Sequence, residues 1–223
     1  MVDINYFCRI YDDFLSSDDC KNYITKFEEN LKKIDVLEQY DDPVLVCGED
    51  FQDLNFHTID LFREAIYRYK CDIGEDQSPS YFPGGYGWEQ IKIKKFRVNS
   101  NKSLDSELHT EVGSLEEAKR FLSLTIYLND DFNEGEKYFP LFNTKVKPKK
   151  GSLFIAPPFW NFLQKEIPPK PPSISGAKYC LTTYLHFVKP PEANNKVSDE
   201  GRALSDDLTK GRGGHGVVFK GNL

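Results

Sequence analysis

The sequence predicts an α+β fold, in which helices near the N-terminus buttress an antiparallel β-sandwich or jelly roll. Two early stretches repeat apolar residues at helical spacing. From residues 78–88 onward, Pro and Gly break that period, and short alternating runs of β-branched and aromatic residues follow. Short strands behind a group of helices are typical of a sheet that is covered on one face by helices.

The first predicted helix covers residues 18–33 and the second covers residues 55–70. Ser16 and Ser17 can cap the first, which carries its apolar stripe at Cys20, Tyr23, Ile24, Phe27 and Leu31. The stripe of the second is Phe56, Ile59, Phe62, Ile66 and Tyr69. His57 lies at the start of the second helix, where a surface or capping role explains it better than metal binding does.

Four strands are predicted in the second half, at residues 89–98, 121–128, 152–157 and 178–188. The first alternates through Ile91 and Ile93 and then changes phase to Phe96 and Val98, which indicates a bulge or a change of environment. The second alternates cleanly, with Leu122, Leu124, Ile126 and Leu128 on one face.

One principal domain is predicted over residues 1–188, with a helical part at 1–75 and a β core at 85–188. The chain has 223 residues, 39% of them hydrophobic, which is enough for one sizeable core. Residues 189–223 are polar and Gly-rich and are predicted to form a peripheral tail. A single Arg-Gly-Gly triplet in that tail is a weak indication of RNA binding.

Charge and cysteine usage narrow the function classes. A formal net charge of −6 disfavours nucleic acid and anionic membranes as partners, because both need clustered Lys and Arg. The five cysteines are scattered, odd in number and without a CxxC pair, so neither a disulfide framework nor a zinc site is indicated. No signal peptide or membrane span is visible in the sequence. We therefore expect a soluble, cytoplasmic protein with small-molecule or peptide partners.

His109 and Glu111 are the first candidate metal ligands. Two residues apart on an extended segment, they point to the same side, so an imidazole nitrogen and a carboxylate oxygen can reach one cation. A His-x-Glu pair also arises by chance, and taken alone this one is better explained as a solvated surface pair than as a metal site.

The order of motifs after this pair is more specific. HTEVGSL is followed by LTIYLNDDFNEGEKYFP, VKPKKGSLFIAPPFW and SGAKYCLTTYLHF. This order resembles the iron(II)- and 2-oxoglutarate-dependent dioxygenases of the prolyl 4-hydroxylase-like branch, over about residues 85–188. The resemblance implies a double-stranded β-helix (jelly roll), iron(II) as the metal, and 2-oxoglutarate and O2 as cosubstrates. It also allows for ascorbate as a further cofactor.

The resemblance implies a role for each residue that matches a family motif. His109 and Glu111 take the places of the first two iron ligands, and Lys178 that of the base that pairs with the far carboxylate of 2-oxoglutarate. Tyr127 is expected to help hold that carboxylate, and Thr182 to assist. The plainer alternatives are a surface lysine at Lys178 and a core tyrosine at Tyr127.

Two positions depart from the family pattern. No histidine lies between PPFW and SGAKY, where the third iron ligand belongs, and Gln164 falls at that position. An amide oxygen is a weaker and neutral donor toward iron(II). In the turn NEGEKYFP, Glu134 and Lys137 replace the usual Gly and Thr, and we expect this turn to lie away from the metal. His186 shares strand parity with Lys178, but a packed or rim histidine is the simpler interpretation.

Two functions remain open on the sequence. The first is an active dioxygenase that hydroxylates a C–H bond, with a prolyl residue of a peptide or protein as one candidate and a small molecule as another. The second is a lapsed relative that keeps the cavity as a binding or scaffolding module. The substrate is not specified by the sequence, because substrate-selecting residues lie in variable loops.

Overall fold

The computed structural model describes residues 4–33, 43–98 and 107–188. The predicted tail, with its Arg-Gly-Gly triplet and His215, lies outside the described residues. Helix α1 spans Ser17–Lys33 and helix α2 spans Gln52–Asp72, close to the predicted 18–33 and 55–70. No described helix is long and apolar enough to cross a membrane.

The strands of the described residues are short except for two. In chain order they are β1 Arg9–Tyr11, β2 Val44–Val46, β3 Tyr86–Trp88, β4 Lys92–Arg97, β5 Arg120–Tyr127, β6 Asn133–Glu134, β7 Lys137–Phe139, β8 Thr144–Val146, β9 Leu153–Ala156, β10 Lys165–Glu166, β11 Pro169–Lys170 and β12 Ala177–Phe187. The predicted strands correspond to β4, β5, β9 and β12. The structure thus confirms the α+β class.

A seven-stranded antiparallel sheet forms the larger layer, in the order β1-β9-β5-β12-β4-β2, with β3 also paired to β12. Two small sheets, β10-β7-β8 and β11-β6, supply further strands. Residues Phe139 of β7 and Phe154 of β9 pack ring against ring, with centroids 5.8 Å apart, so the sheet of β7 faces the larger one. This is the two-layered arrangement that the jelly-roll prediction requires.

The larger sheet separates two apolar clusters. On one face, Leu122, Leu124 and Ile126 of β5 pack with residues of both helices, among them Phe27 and Phe62. The opposite face belongs to an inner cluster shared with the smaller sheet, which includes Phe96, Tyr127, Phe139, Phe154, Phe162 and Cys180. Alternation along each strand therefore assigns residues either to the helix side or to the inside of the jelly roll.

The phase change in β4 is a change of environment and not a bulge. Its pairing with β12 runs in continuous register from Arg97 opposite Ala177 to Lys92 opposite Thr182. Lys95 takes the helix-side position after Ile93, and its Nζ lies 2.8 Å from Glu28 Oε1 on α1. Phe96 consequently faces the inside, next to Lys178.

Candidate active site

His109 and Gln164 lie directly opposite each other in a short antiparallel bridge. The backbone N–H of each donates to the carbonyl of the other, at 2.9 Å in both directions. The His109 ring donates from Nδ1 to the Glu107 carbonyl at 2.9 Å, which leaves the Nε2 lone pair as the one that can bind a ligand. The structure therefore brings the candidate first and third metal ligands together.

Both carboxylate oxygens of Glu111 are engaged. Gln164 Nε2 donates to Oε1, and the Tyr184 hydroxyl donates to Oε2. A carboxylate oxygen can only accept, so the NH2 group of Gln164 must face it and the amide oxygen must face away. Gln164 is thus hydrogen-bonded to Glu111, the second candidate metal ligand, and does not present its amide oxygen as a third metal ligand.

Lys137 adds a positive charge to the same group of side chains. Its Nζ lies 3.6 Å from Glu111 Oε1 and 3.2 Å from Glu166 Oε1. Burial alone would raise the pKa of Glu111, but the charges of Lys137 and Lys94 and the Tyr184 hydroxyl lower it to about 2. Glu111 is therefore an ionised carboxylate whose charge is already balanced by lysine.

Lys178 lies fully inside the jelly roll, with no solvent-exposed surface. Its Nζ donates to Glu166 Oε2 at 2.5 Å and to the Gly135 carbonyl at 3.0 Å, and it lies 4.6 Å from the centroid of the Phe96 ring. Burial would raise the pKa of Glu166, but Lys178 and then Lys137 lower it to about 2. Lys178 and Glu166 are thus a buried ion pair.

Tyr127 and Thr182 lie on the inner face of the larger sheet, where they were predicted to contact the cosubstrate. Cys180 pairs with Tyr127, and Thr182 lies two residues farther along β12, so both side chains share the face of Lys178. Among the described residues, neither the Tyr127 hydroxyl nor Thr182 Oγ1 has a hydrogen-bond partner. Unpartnered buried hydroxyls are uncommon and are compatible with a ligand.

Iron(II) does not fit the donors as they stand. Within the described residues, no group of three or more His, Cys, Asp and Glu side chains is arranged to hold a metal ion. His109 and Glu111 are two donors, and the amide oxygen of Gln164 is turned away by its bond to Glu111. Lys137, 3.6 Å from the carboxylate, opposes a dication at the same place.

2-Oxoglutarate does not fit beside Lys178 either. A side chain without accessible surface has no water-sized space next to it, and Lys178 has none. The Glu166 carboxylate already stands at the ammonium group that would receive the far carboxylate of the cosubstrate. Two carboxylates at one buried lysine would leave uncompensated negative charge in the interior.

Glu166 is the functional residue that sequence reasoning missed. It lies two positions after Gln164, so on an extended strand both side chains face inward, and this parity was the signal available in the sequence. The expectation that the NEGEKYFP turn lies away from the site was wrong for Lys137. In the β7–β10 pairing Lys137 stands opposite Glu166, which places its ammonium group between the two glutamates.

The other histidines within the described residues lie outside this group. His57 Nε2 is 3.7 Å from Asp19 Oδ2, and its side chain is 56% exposed, as a surface histidine is expected to be. His186 follows an irregularity in the β12–β5 register and packs over Gly87, so that a Cβ on that glycine would come within 2.5 Å of its ring. Both agree with the interpretations that did not involve a metal.

Comparison with solved structures shows a common fold. A viral collagen prolyl hydroxylase of Paramecium bursaria Chlorella virus-1, in complex with 2-oxoglutarate, superposes with a TM-score of 0.58 at 20% identity, over 82% of this chain and 97% of that one. A Pseudomonas putida prolyl 4-hydroxylase gives 0.54 at 13% identity, over 82% and 93%. A Trichoplax adhaerens prolyl hydroxylase, bound to a hypoxia inducible factor peptide fragment, gives 0.54 at 15%, over 90% and 87%.

Sequence comparison supports the same resemblance over a short stretch. A curated protein of Acanthamoeba polyphaga mimivirus, named "Putative prolyl 4-hydroxylase", is 44% identical over 43 residues, which are 19% of this chain and 18% of the relative. The chain therefore matches less than a fifth of that relative's length. No protein-family model matches the chain. Together with the structures, this match confirms the resemblance to the prolyl 4-hydroxylase-like branch.

Proposed function

We propose that this chain, which has the prolyl hydroxylase fold, is a lapsed dioxygenase that binds a peptide segment without hydroxylating it. The observation that carries the proposal is the continuous row of charges Lys178–Glu166–Lys137–Glu111, with contacts of 2.5, 3.2 and 3.6 Å, in which the first three side chains are buried and Glu111 is 14% exposed. The row neutralises both the cosubstrate base and the metal carboxylate from within the chain. Neither group then attracts a ligand of opposite charge.

Peptide binding is supported by exposed apolar side chains close in sequence to the His109–Gln164 bridge. Trp160, four residues before Gln164, is 79% exposed, and Leu108, next to His109, is 54% exposed. Large exposed apolar side chains are a common feature of protein-binding surfaces. The peptide complex of the Trichoplax adhaerens enzyme gives the class of ligand that we propose here.

A cytoplasmic location is part of the proposal. All five cysteines are free thiols, four of them buried and Cys71 exposed. Free thiols are typical of a reducing compartment.

An active iron(II)- and 2-oxoglutarate-dependent dioxygenase, hydroxylating a C–H bond of a peptide or small molecule, is the second candidate. The unpartnered hydroxyls of Tyr127 and Thr182 favour it, because a bound cosubstrate would give both a partner. In that case His109, Glu111 and the Gln164 amide oxygen would hold the iron, which activates O2 for C–H oxidation when bound. Glu166 and Gln164 would both have to leave their present partners.

An anaerobic titration distinguishes the two candidates. Wild-type protein, with His109→Ala as control, is titrated with iron(II) and 2-oxoglutarate while the visible metal-to-ligand charge-transfer band is recorded. We expect no band in either protein. A band in the wild type that His109→Ala abolishes would refute the lapsed state and establish the second candidate.

Peptide binding is tested separately, without iron. A fluorescently labelled proline-rich peptide is titrated with wild type and with Trp160→Ala. Tyr81→Ala is the matched control, because Tyr81 is an aromatic residue that is 87% exposed and lies on another segment. We expect the wild type and Tyr81→Ala to bind and Trp160→Ala to bind at least about tenfold more weakly. Equal affinities of all three proteins would contradict a peptide surface at the bridge.

A further inference from the structure

The carboxylate of Glu166 lies between two buried ammonium groups. Its Oε2 is 2.5 Å from Lys178 Nζ and its Oε1 is 3.2 Å from Lys137 Nζ, while the three side chains are 8%, 0% and 7% exposed, respectively. Although Glu111 also lies 3.6 Å from Lys137 Nζ, the Glu166 carboxylate contacts both lysines at once. Its removal would leave both ammonium groups facing the same small volume.

Two hydroxyl groups lie on the inner face of the larger sheet, on the side of Lys178. The pKa of Tyr127 is raised, first by burial and then by the negative charge of the nearby Glu166. The Tyr127 hydroxyl and Thr182 Oγ1 make no hydrogen bond to any described residue. Two lysines and Tyr127 thus lie at the region that Glu166 enters from β10, and Thr182 adds a second hydroxyl to the same face of the sheet.

We infer that Glu166 is a built-in substitute for a ligand carboxylate, and that the chain contains a latent dicarboxylate site closed by its own side chain. The inference rests on the proposed function, because an active enzyme would need this position for its cosubstrate. Glu166 and a dicarboxylate are mutually exclusive at Lys178, since the lysine has no accessible surface in the closed state. Truncation of Glu166 supplies space, and the vacated positive charge supplies the attraction.

The test measures binding of 2-oxoglutarate and succinate to Glu166→Ala, without iron and with a chelator present, by calorimetry and thermal unfolding. We expect the variant to bind at least about tenfold more tightly than wild type, and saturating ligand to raise its Tm by about 5 °C. Wild type should show no shift. Sulfate, as a probe for non-specific anion binding, should act on neither protein.

Two further variants control the result. Glu134→Ala removes the exposed pair with Lys170, whose Nζ lies 2.7 Å from Glu134 Oε1, and should respond to dicarboxylates as little as wild type does. Glu166→Ala combined with Lys178→Met removes the cation as well and should lose the binding. If Glu166→Ala is unfolded without ligand, the same titration is made on Glu166→Ser, which also supplies the space but leaves a small polar side chain there.

The outcomes separate this inference from the proposed function. The latent site is overturned if folded Glu166→Ala does not bind a dicarboxylate, or if neither Glu166 variant folds even with saturating dicarboxylate. In both cases the iron titration of the wild type still decides the proposed function. Iron-free binding by wild type as tight as by the variant also overturns the latent site. Binding by Glu166→Ala that survives Lys178→Met would place the ligand elsewhere and reject the inference.

Discussion

Replacement of Glu166 by alanine should destabilise the protein far more than the loss of one surface salt bridge. Lys178 is 0% exposed and the Glu166 side chain is 8% exposed, so alanine leaves a buried ammonium group whose remaining polar contact, from Nζ, is the Gly135 carbonyl. Lys137 loses its 3.2 Å contact in the same substitution. The interior cannot replace these contacts with water unless it opens.

The size of the expected loss of stability follows from the burial of the ion pair. Removal of one partner of a buried ion pair costs about 3–5 kcal/mol. For a protein of this length each kcal/mol lowers Tm by about 2–4 °C, which gives a fall of roughly 6–20 °C. In the exposed pair, where Glu134 is 41% and Lys170 58% exposed, Glu134→Ala should cost at most about 1 kcal/mol.

Urea unfolding followed by circular dichroism measures both variants beside the wild type. The double variant Glu166→Leu, Lys178→Met removes the pair as a unit and should recover most of the loss, because a buried ion pair is often no more stable than a well-packed apolar pair. If Glu166→Ala costs no more than Glu134→Ala, then Glu166 does not neutralise Lys178 in solution. The buried row of charges would then be wrong.

Three further results are expected. Asp131 accepts hydrogen bonds from the backbone N–H groups of Ile174 and Ser175 at 2.9 and 2.7 Å. Burial raises the pKa of Asp131, but the bonds from the Ser175 backbone, the Asn129 side chain and the Ser175 side chain outweigh burial and lower this pKa below its ordinary value. Asp131→Asn should therefore cost roughly 1–3 kcal/mol at pH 7, and urea titrations should show the difference from wild type shrinking as the pH falls below about 3.9, where the unfolded carboxyl takes up its proton. In calorimetry, Gly151→Ala should unfold at a clearly lower temperature than Gly176→Ala. Both glycines have positive φ, at 77° and 71°. A Cβ at Gly151 would lie 2.4 Å from the Leu15 carbonyl oxygen, whereas a Cβ at Gly176 would meet nothing within 4 Å. Gln164→His alone should give no charge-transfer band with iron(II) and 2-oxoglutarate, whereas Gln164→His with Glu166→Ala should give one, and a band in the single variant would show that Glu166 does not block the cosubstrate.

The architecture was predictable because it depends on periodicity. Apolar spacing placed the helices at 18–33 and 55–70, against Ser17–Lys33 and Gln52–Asp72 in the structure. The clean alternation of 121–128 placed the β5 residues that face the helices, as the helix-side cluster shows. Each of these patterns is local, so a single segment carries the whole signal.

The charge partners inside the jelly roll were not predictable in the same way. Lys137 and Glu166 are 29 residues apart in sequence (166 − 137) and meet only through the β7–β10 register, which no local pattern specifies. The resemblance assigned Lys178 to the far carboxylate of 2-oxoglutarate, because Lys178 matches the base that precedes the last core strand in the family pattern. It gave no indication of Glu166 as a partner, since Glu166 lies in a segment where that pattern was already interrupted at Gln164.

The presence of Lys178 therefore does not by itself indicate that 2-oxoglutarate binds. A buried ammonium group needs a negative partner in either function, and a cosubstrate supplies one only while it is bound. Glu166 supplies this negative partner from within the same domain, with its Oε2 2.5 Å from Lys178 Nζ. A chain with this pair needs no ligand to compensate its interior lysine, and the same contact that stabilises the fold keeps the dicarboxylate out. The residue that faces the lysine, more than the lysine itself, distinguishes a working cosubstrate site from a closed one.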